Sequence, residues 1–255
     1  MFTVSCLLAA NGHTKQKKRP PAKPVPVAAA ATRTAPPALR IGEKLQYRVS
    51  WTSFTTAASV ELTVAEKRTL YGWDTYHLRA NAHTLTPLRV MFAIDDQFDS
   101  YTDTGTLESR QYEMYLNELG RKQDSVAHLL PQGMPARGTG TNIIVPPGTR
   151  DPLSAIYSLR EVDWNATRES RMPVYDGRTL YEMSAQVAGL PQPVAVPAGT
   201  FSASKIDVRL TQNGREVQQT NFSIWLAHDA YRTPVAMQAE LPFGSLRIEM
   251  TSAQQ

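Results

Sequence analysis

The stretch Lys44-Leu45-Gln46-Tyr47-Arg48-Val49-Ser50-Trp51 decides the fold. Leu45, Tyr47, Val49 and Trp51 fall on one side of an extended chain, and Lys44, Gln46, Arg48 and Ser50 on the other. Successive strand residues point to opposite faces, so this is a strand with one face against a core and one in water. The pattern repeats outward from it. Val60, Leu62 and Val64 alternate with Glu61 and Thr63, and Tyr76, Leu78 and Ala80 with His77, Arg79 and Asn81. Tyr71-Gly72-Trp73 and Thr104-Gly105 mark turns between such runs.

The second half reads the same way, through Tyr181, Met183, Ala185 and Val187; Ile206, Val208 and Leu210; Phe222, Ile224 and Leu226; Val235, Met237, Ala239 and Leu241; and Leu246, Ile248 and Met250. Asn213-Gly214 between two of these runs is a strong hairpin signal. With the less regular runs near 108–117, 122–130 and 141–145, the pattern predicts about ten to twelve strands. They are antiparallel, because the connections are too short for crossovers. Every strand keeps a polar face, which a parallel sheet covered on both sides would not. The fold class is therefore all-β: a single large curved antiparallel sheet or partly closed β-barrel.

Two segments leave this period. Asp151-Pro152 followed by Leu153, Ile156 and Tyr157 supplies an N-cap, a proline at the first helical position and an apolar stripe, which predicts a helix over about 151–160. Thr86-Pro87 with Leu88, Met91 and Phe92 predicts a shorter helical turn. Such helices plug or lid the open end of a curved sheet. The inward series mixes bulky side chains (Tyr47, Trp51, Tyr76, Met183, Phe222) with small ones (Ala80, Ala82, Ala185, Ala239). Uneven filling of that kind leaves room for an apolar cavity of ligand size, opening beside the 86–92 turn or the 151–160 helix.

Residues 1–40 form a different region, a signal remnant followed by a proline- and alanine-rich basic linker, ahead of a β domain over 41–252. Seven lysines and arginines and no acid lie in this leader, leaving 20 basic against 23 acidic side chains in the rest. A mildly acidic domain lacks the basic footprint that nucleic acid requires. Met1 to Ala10 reads as the tail of a secretory apolar segment, and Thr3-Val4-Ser5-Cys6 resembles the end of a bacterial lipoprotein signal, which makes Cys6 the lipidation candidate. Cleavage after Ala10 is the competing reading. Cys6 is the only cysteine, so the domain has neither an internal disulfide nor a cysteine-held metal. No apolar run reaches the length of a membrane-spanning helix, so membrane contact is peripheral or through a lipid anchor.

No catalytic, metal or cofactor motif stands out. His77 and His83 share a strand face but lie about 20 Å apart, too far to share a metal, and read with His128 and His228 as solvated histidines. Asp95, Asp99 and Asp103 fall on one face at about 13 Å spacing, so with Asp96 they read as a solvated acidic face and not a calcium site. Ser202-Ala203-Ser204-Lys205 fits Ser-x-x-Lys formally, but it enters a strand where that chemistry needs a helix start. The ligand-binding candidates are Trp51, Leu88, Met91, Phe92, Tyr157, Arg160 and Trp225. Tyr157 and Arg160 are three apart on one helix face and could offer a hydroxyl and a guanidinium to a ligand headgroup. The bland reading packs Tyr157 under the sheet and turns Arg160 to the helix C-terminus.

Several pieces together resemble the DUF 3108 family of exported bacterial proteins of unknown function. They are Gly42-Glu43-Lys44-Leu45 with Tyr47, Val49 and Trp51; Asp151 through Arg160; Pro197-Ala198-Gly199-Thr200-Phe201; Trp225-Leu226 with Asp229; and Phe243-Gly244-Ser245. The resemblance implies a β-rich domain in the periplasm or at the outer membrane and no catalytic assignment. The expectation is a non-enzymatic envelope protein that binds or carries a lipid or other apolar ligand. The alternative is a structural or adaptor module that docks an envelope protein, and an unrecognised hydrolase is the third class.

Overall fold

In the computed structural model, residues 39–52, 54–217, 221–241 and 244–254 are described. The expectations for the leader, including Cys6, lie outside them. The chain runs β1 (Lys44–Trp51), β2 (Phe54–Leu70), β3 (Trp73–Thr84), β4 (Asp95–Asp103), β5 (Ser109–Glu118), β6 (Arg121–Leu130), β7 (Thr141–Ile144), α1 (Pro152–Glu161), β8 (Glu169–Tyr175), β9 (Leu180–Val187), β10 (Gln192–Val196), β11 (Gly199–Gln212), β12 (Arg215–Glu216), β13 (Asn221–Ala227), β14 (Pro234–Leu241) and β15 (Gly244–Gln254). A short 3-10 turn, Leu88–Val90, lies between β3 and β4 where the shorter helical turn was expected.

These strands form one large sheet in the order β7-β6-β5-β4-β3-β2-β1-β15-β14-β13-β11-β9-β8, with β10 and β12 paired to β11. The alternating stretch that opens the domain is its central seam, because β1 pairs with β2 on one side and with β15 on the other. Fifteen strands among the described residues exceed the expected ten to twelve; short β10 and β12 carry too few residues to show a period. Among the described strands one pairing breaks the antiparallel rule. β7 lies parallel to β6, reached through the loop 131–140.

The sheet is mostly antiparallel and not closed. Its curl is clasped by the segment just before α1: Ser109 donates its N–H to the Thr149 carbonyl (3.0 Å), Arg150 N–H to Pro173 O (2.9 Å), and Tyr175 N–H to Arg150 O (2.8 Å). The strand start of β5 is thereby tied to β8 across the gap. Asp151 then caps α1 as its sequence predicts, accepting the Leu153 and Ser154 N–H groups at 2.9 Å each, while Ser154 Oγ accepts the Asp151 N–H at 3.0 Å.

The histidine and aspartate readings need correction. His77 and His128 are buried, as are Asp96 and Asp99, so neither group is a solvated face. His77 Nε2 sits 2.6 Å from Asp99 Oδ1 and its ring stacks on Tyr101. Arg79 Nε donates to the same oxygen (2.7 Å) and Gln97 Nε2 to the other (2.5 Å). Burial alone would raise the Asp99 pKa, but these donors outweigh it and hold it below the usual carboxylate range. Cross-strand neighbours in β3, β4 and β5 pack a polar face densely enough to exclude water, which parity along one strand does not report. His83 and His228 are exposed, as expected.

Candidate functional site

The concave face of the sheet and one side of α1 enclose a cavity of about 320 Å³. Its α1 wall is Pro152, Leu153, Ala155, Ile156 and Leu159, and its sheet wall runs from Val49 and Trp51 through Ala80, Ala82 and Phe98 to Met183, Leu210, Phe222, Ala239 and Leu246. The small residues Ala80, Ala82 and Ala239 stand where a larger side chain would occupy the space, as uneven filling predicts. Ala185 differs: it is fully buried in a second cluster with Met183, Ile206 and Val208 and does not line the cavity.

Among the described residues no lysine, arginine, aspartate or glutamate lines this space; its polar side chains there are His83, Thr84, Tyr112, Ser223, Gln238 and the indole of Trp51. Moving an unpaired charge into such surroundings is costly, so whatever enters is uncharged along the part that is enclosed. The volume is on the scale of a medium acyl chain or a compact ring system, at the lower end of ligand pockets.

One end of the sheet forms the mouth. Register places Trp51 opposite both Phe54 and Leu246, Leu241 opposite Gly244, and Ala58 opposite Thr84. Trp51, Leu246, Leu241, Ala58 and Thr84, with Leu88, Phe92 and Ile94 from the following turn, all line the cavity. The other end is plugged. There Arg160 on α1 forms a two-pronged ion pair with Glu43 (2.6 and 2.8 Å), and its Nε donates to Tyr231 O at 3.0 Å. Tyr47 donates to Pro234 O (2.8 Å) beside it. Burial raises the Tyr47 and Tyr157 hydroxyl pKa values above the usual tyrosine range. Asp151, also buried, accepts from the Ser100 and Ser109 hydroxyls in addition to its two cap N–H groups, and desolvation raises its pKa despite them.

Of the candidates named from sequence, Trp51, Leu88 and Phe92 line the cavity together. Met91 projects from the same turn into solvent. Tyr157 and Arg160 do share a helix face, but that face is turned to Glu43 and the plug, where the guanidinium is committed to the ion pair and not presented to the cavity. Trp225 is one residue out of phase with Phe222, Ile224 and Leu226 and lies under Lys205 instead. Sequence reasoning missed Glu43, which reads as a solvated charge at a strand start, and Ala57, Ala58 and Ile94, which fall at strand ends where alternation is interrupted. Among the described residues no group of three histidine, cysteine, aspartate or glutamate side chains is placed to hold a metal ion. No described helix is long and apolar enough to cross a membrane.

A family model described as a protein of unknown function, DUF3108, matches residues 46–251. Among curated proteins nothing matches. Among solved structures the chain resembles a β-barrel-like protein of the domain of unknown function DUF1849 from Brucella abortus, at 8% identity and TM-score 0.52, covering 84% of this chain and 97% of that one. This likeness shows the fold alone. A protein provisionally described as exported, with a YmcC-like fold, from Bacteroides fragilis matches at 10% identity and TM-score 0.39, covering 85% and 97%. A provisionally described lipoprotein from Parabacteroides distasonis matches at 10% and 0.38, covering 89% and 100%.

Proposed function

We propose, for a chain that belongs to the DUF3108 family of proteins of unknown function, that its curved β domain binds or carries a lipid or another apolar molecule in the cell envelope without catalysing a reaction on it. The observation that carries this reading is the 320 Å³ cavity, lined among the described residues by no permanently charged side chain. Its size lies at the lower end of ligand pockets, and its lining reaches from the mouth residues Leu88, Phe92 and Ile94 to α1, which suits an apolar tail with its polar head left at the rim. The basic, proline-rich leader supports a place in the envelope, in the periplasm or beside the outer membrane.

The adaptor reading has one observation in its favour, the exposure of Val90 and Met91. Leu88 and Phe92 of the same turn line the cavity wall, so this turn itself offers a partner only the Val90 and Met91 side chains.

The test is titration of the purified full chain with N-phenyl-1-naphthylamine, an uncharged dye that fluoresces in apolar surroundings. One dye should bind per chain, and A239F and A82F should each abolish binding while leaving the circular dichroism spectrum unchanged. Mass spectrometry of an organic extract of protein purified from its own envelope should then name the resident molecule. Weak dye binding without a defined stoichiometry, unaltered by either substitution, overturns the reading.

A further inference from the structure

The apolar surface does not stop at the cavity mouth. Among the described residues, large apolar side chains project into solvent at that end: Val90 (83% exposed), Met91 (65%), Leu119 (62%) and Phe54 (38%). Each adjoins the lining. Phe54 stacks on Trp51 with ring centroids 6.1 Å apart, and Val90 and Met91 lie between Leu88 and Phe92. Leu119 donates its N–H to the Ala93 carbonyl (2.7 Å), between lining residues Phe92 and Ile94. Next to Leu119, Arg121 and Lys122 are exposed and form no ion pair with another described residue. Arg89 on the neighbouring turn is held by Asp95 in a two-pronged pair (2.8 and 2.7 Å).

We propose that this rim is a docking surface for an anionic lipid bilayer, with Phe54, Val90, Met91 and Leu119 entering the interface and Arg121 and Lys122 meeting the headgroups. The purpose of such a surface rests on the carrier reading above; its evidence is the exposed tips themselves. Shallow apolar insertion combined with cationic side chains is how folded domains hold to a charged membrane surface. Isolated tips on separate turns suit a fluid interface, whereas a protein partner requires a contiguous, shape-complementary patch. Seated on such a surface, the cavity mouth would face the bilayer, which shortens the path that a water-insoluble tail must cross through water.

The experiment is flotation of the full chain with vesicles of phosphatidylethanolamine and phosphatidylglycerol, compared with vesicles of phosphatidylcholine alone. All variants keep the same leader, so differences between them belong to the rim. The triple variant V90S/M91S/L119S should lose at least tenfold in partitioning. R121S/K122S should lose severalfold on the anionic vesicles and nothing on the neutral ones, and added salt should mimic it. Wild-type chain that does not float, or a triple variant that floats as well as wild type, overturns the proposal. Concentration-dependent self-association abolished in the triple variant, without vesicle binding, overturns it in favour of a second copy of the chain. Dye uptake measured without vesicles keeps the two readings apart: binding of dye with no role for the tips sinks only the docking surface, and loss of flotation in the triple variant without dye uptake sinks only the carrier.

Discussion

The two ends of the curled sheet solve opposite problems. At the plug, charge is buried and paired: Glu43 with Arg160, and Asp151 with two serine hydroxyls and two backbone N–H groups. At the mouth, apolar side chains surround a space they do not fill. A buried ion pair is costly to form and worse to break, so the plug tolerates little change. An unfilled apolar space accepts changes of volume more readily. Stability is thus anchored at both termini of α1, by the Asp151 cap and the Arg160 ion pair, and binding lies at the wall that the same helix turns toward the mouth.

The largest expected effect comes from breaking the plug. Arg160→Met leaves the Glu43 carboxylate buried and alone, and should cost about 3 to 5 kcal/mol in urea unfolding. The double variant E43L/R160M should recover much of that loss. A single variant as stable as wild type would show that the plug does not anchor the helix.

Asp151→Ala follows, at about 2 kcal/mol or more, the top of the range for helix caps. The sequence alone suggests a smaller loss of about 1 kcal/mol for an ordinary cap. The excess comes from Ser100 and Ser109, which lose their acceptor at the same time. A loss below about 1 kcal/mol would mean that those hydroxyls find other partners.

The two alanines sharpen the comparison most directly. Ala185 is enclosed by neighbours, so Ala185→Phe should overpack and cost about 1 to 3 kcal/mol. Ala239→Phe can extend into the cavity and should cost less while blocking dye uptake. Equal losses in chemical denaturation would indicate that the cavity is not available to a side chain.

The smallest effect is a pH dependence at the mouth end. Asp96 accepts from the Asn117 N–H (2.9 Å), but its other oxygen has no partner; burial first, then the charges of Glu118 and Asp95, raise its pKa from 3.8 to about 6. The folded state therefore holds this proton more tightly than the unfolded state. The stabilisation is fully present below about pH 4 and is lost as pH rises through about 6. Asp96→Asn should leave thermal stability unchanged near pH 4 and raise it relative to wild type at pH 7 and above. Melting curves that stay parallel across this range would contradict the assignment.

Much of the fold is legible in the sequence because its signals are local. Period-two alternation fixes strands and faces, and Asp151-Pro152 with an apolar stripe fixes the helix and its start. The face of Trp51 and the position of Leu88 and Phe92 at the mouth follow from the same rules. What tertiary structure alone decided depends on residues far apart in the chain. Glu43 and Arg160 are 117 positions apart, so nothing near either one announces the pair that turns Arg160 and Tyr157 from a ligand toward the plug. His77 and Asp99 become buried only when β3, β4 and β5 lie side by side. The cavity is the difference between the space that sheet twist and curl enclose and the volume of the side chains that face it, and only the second of those quantities is written residue by residue in the sequence.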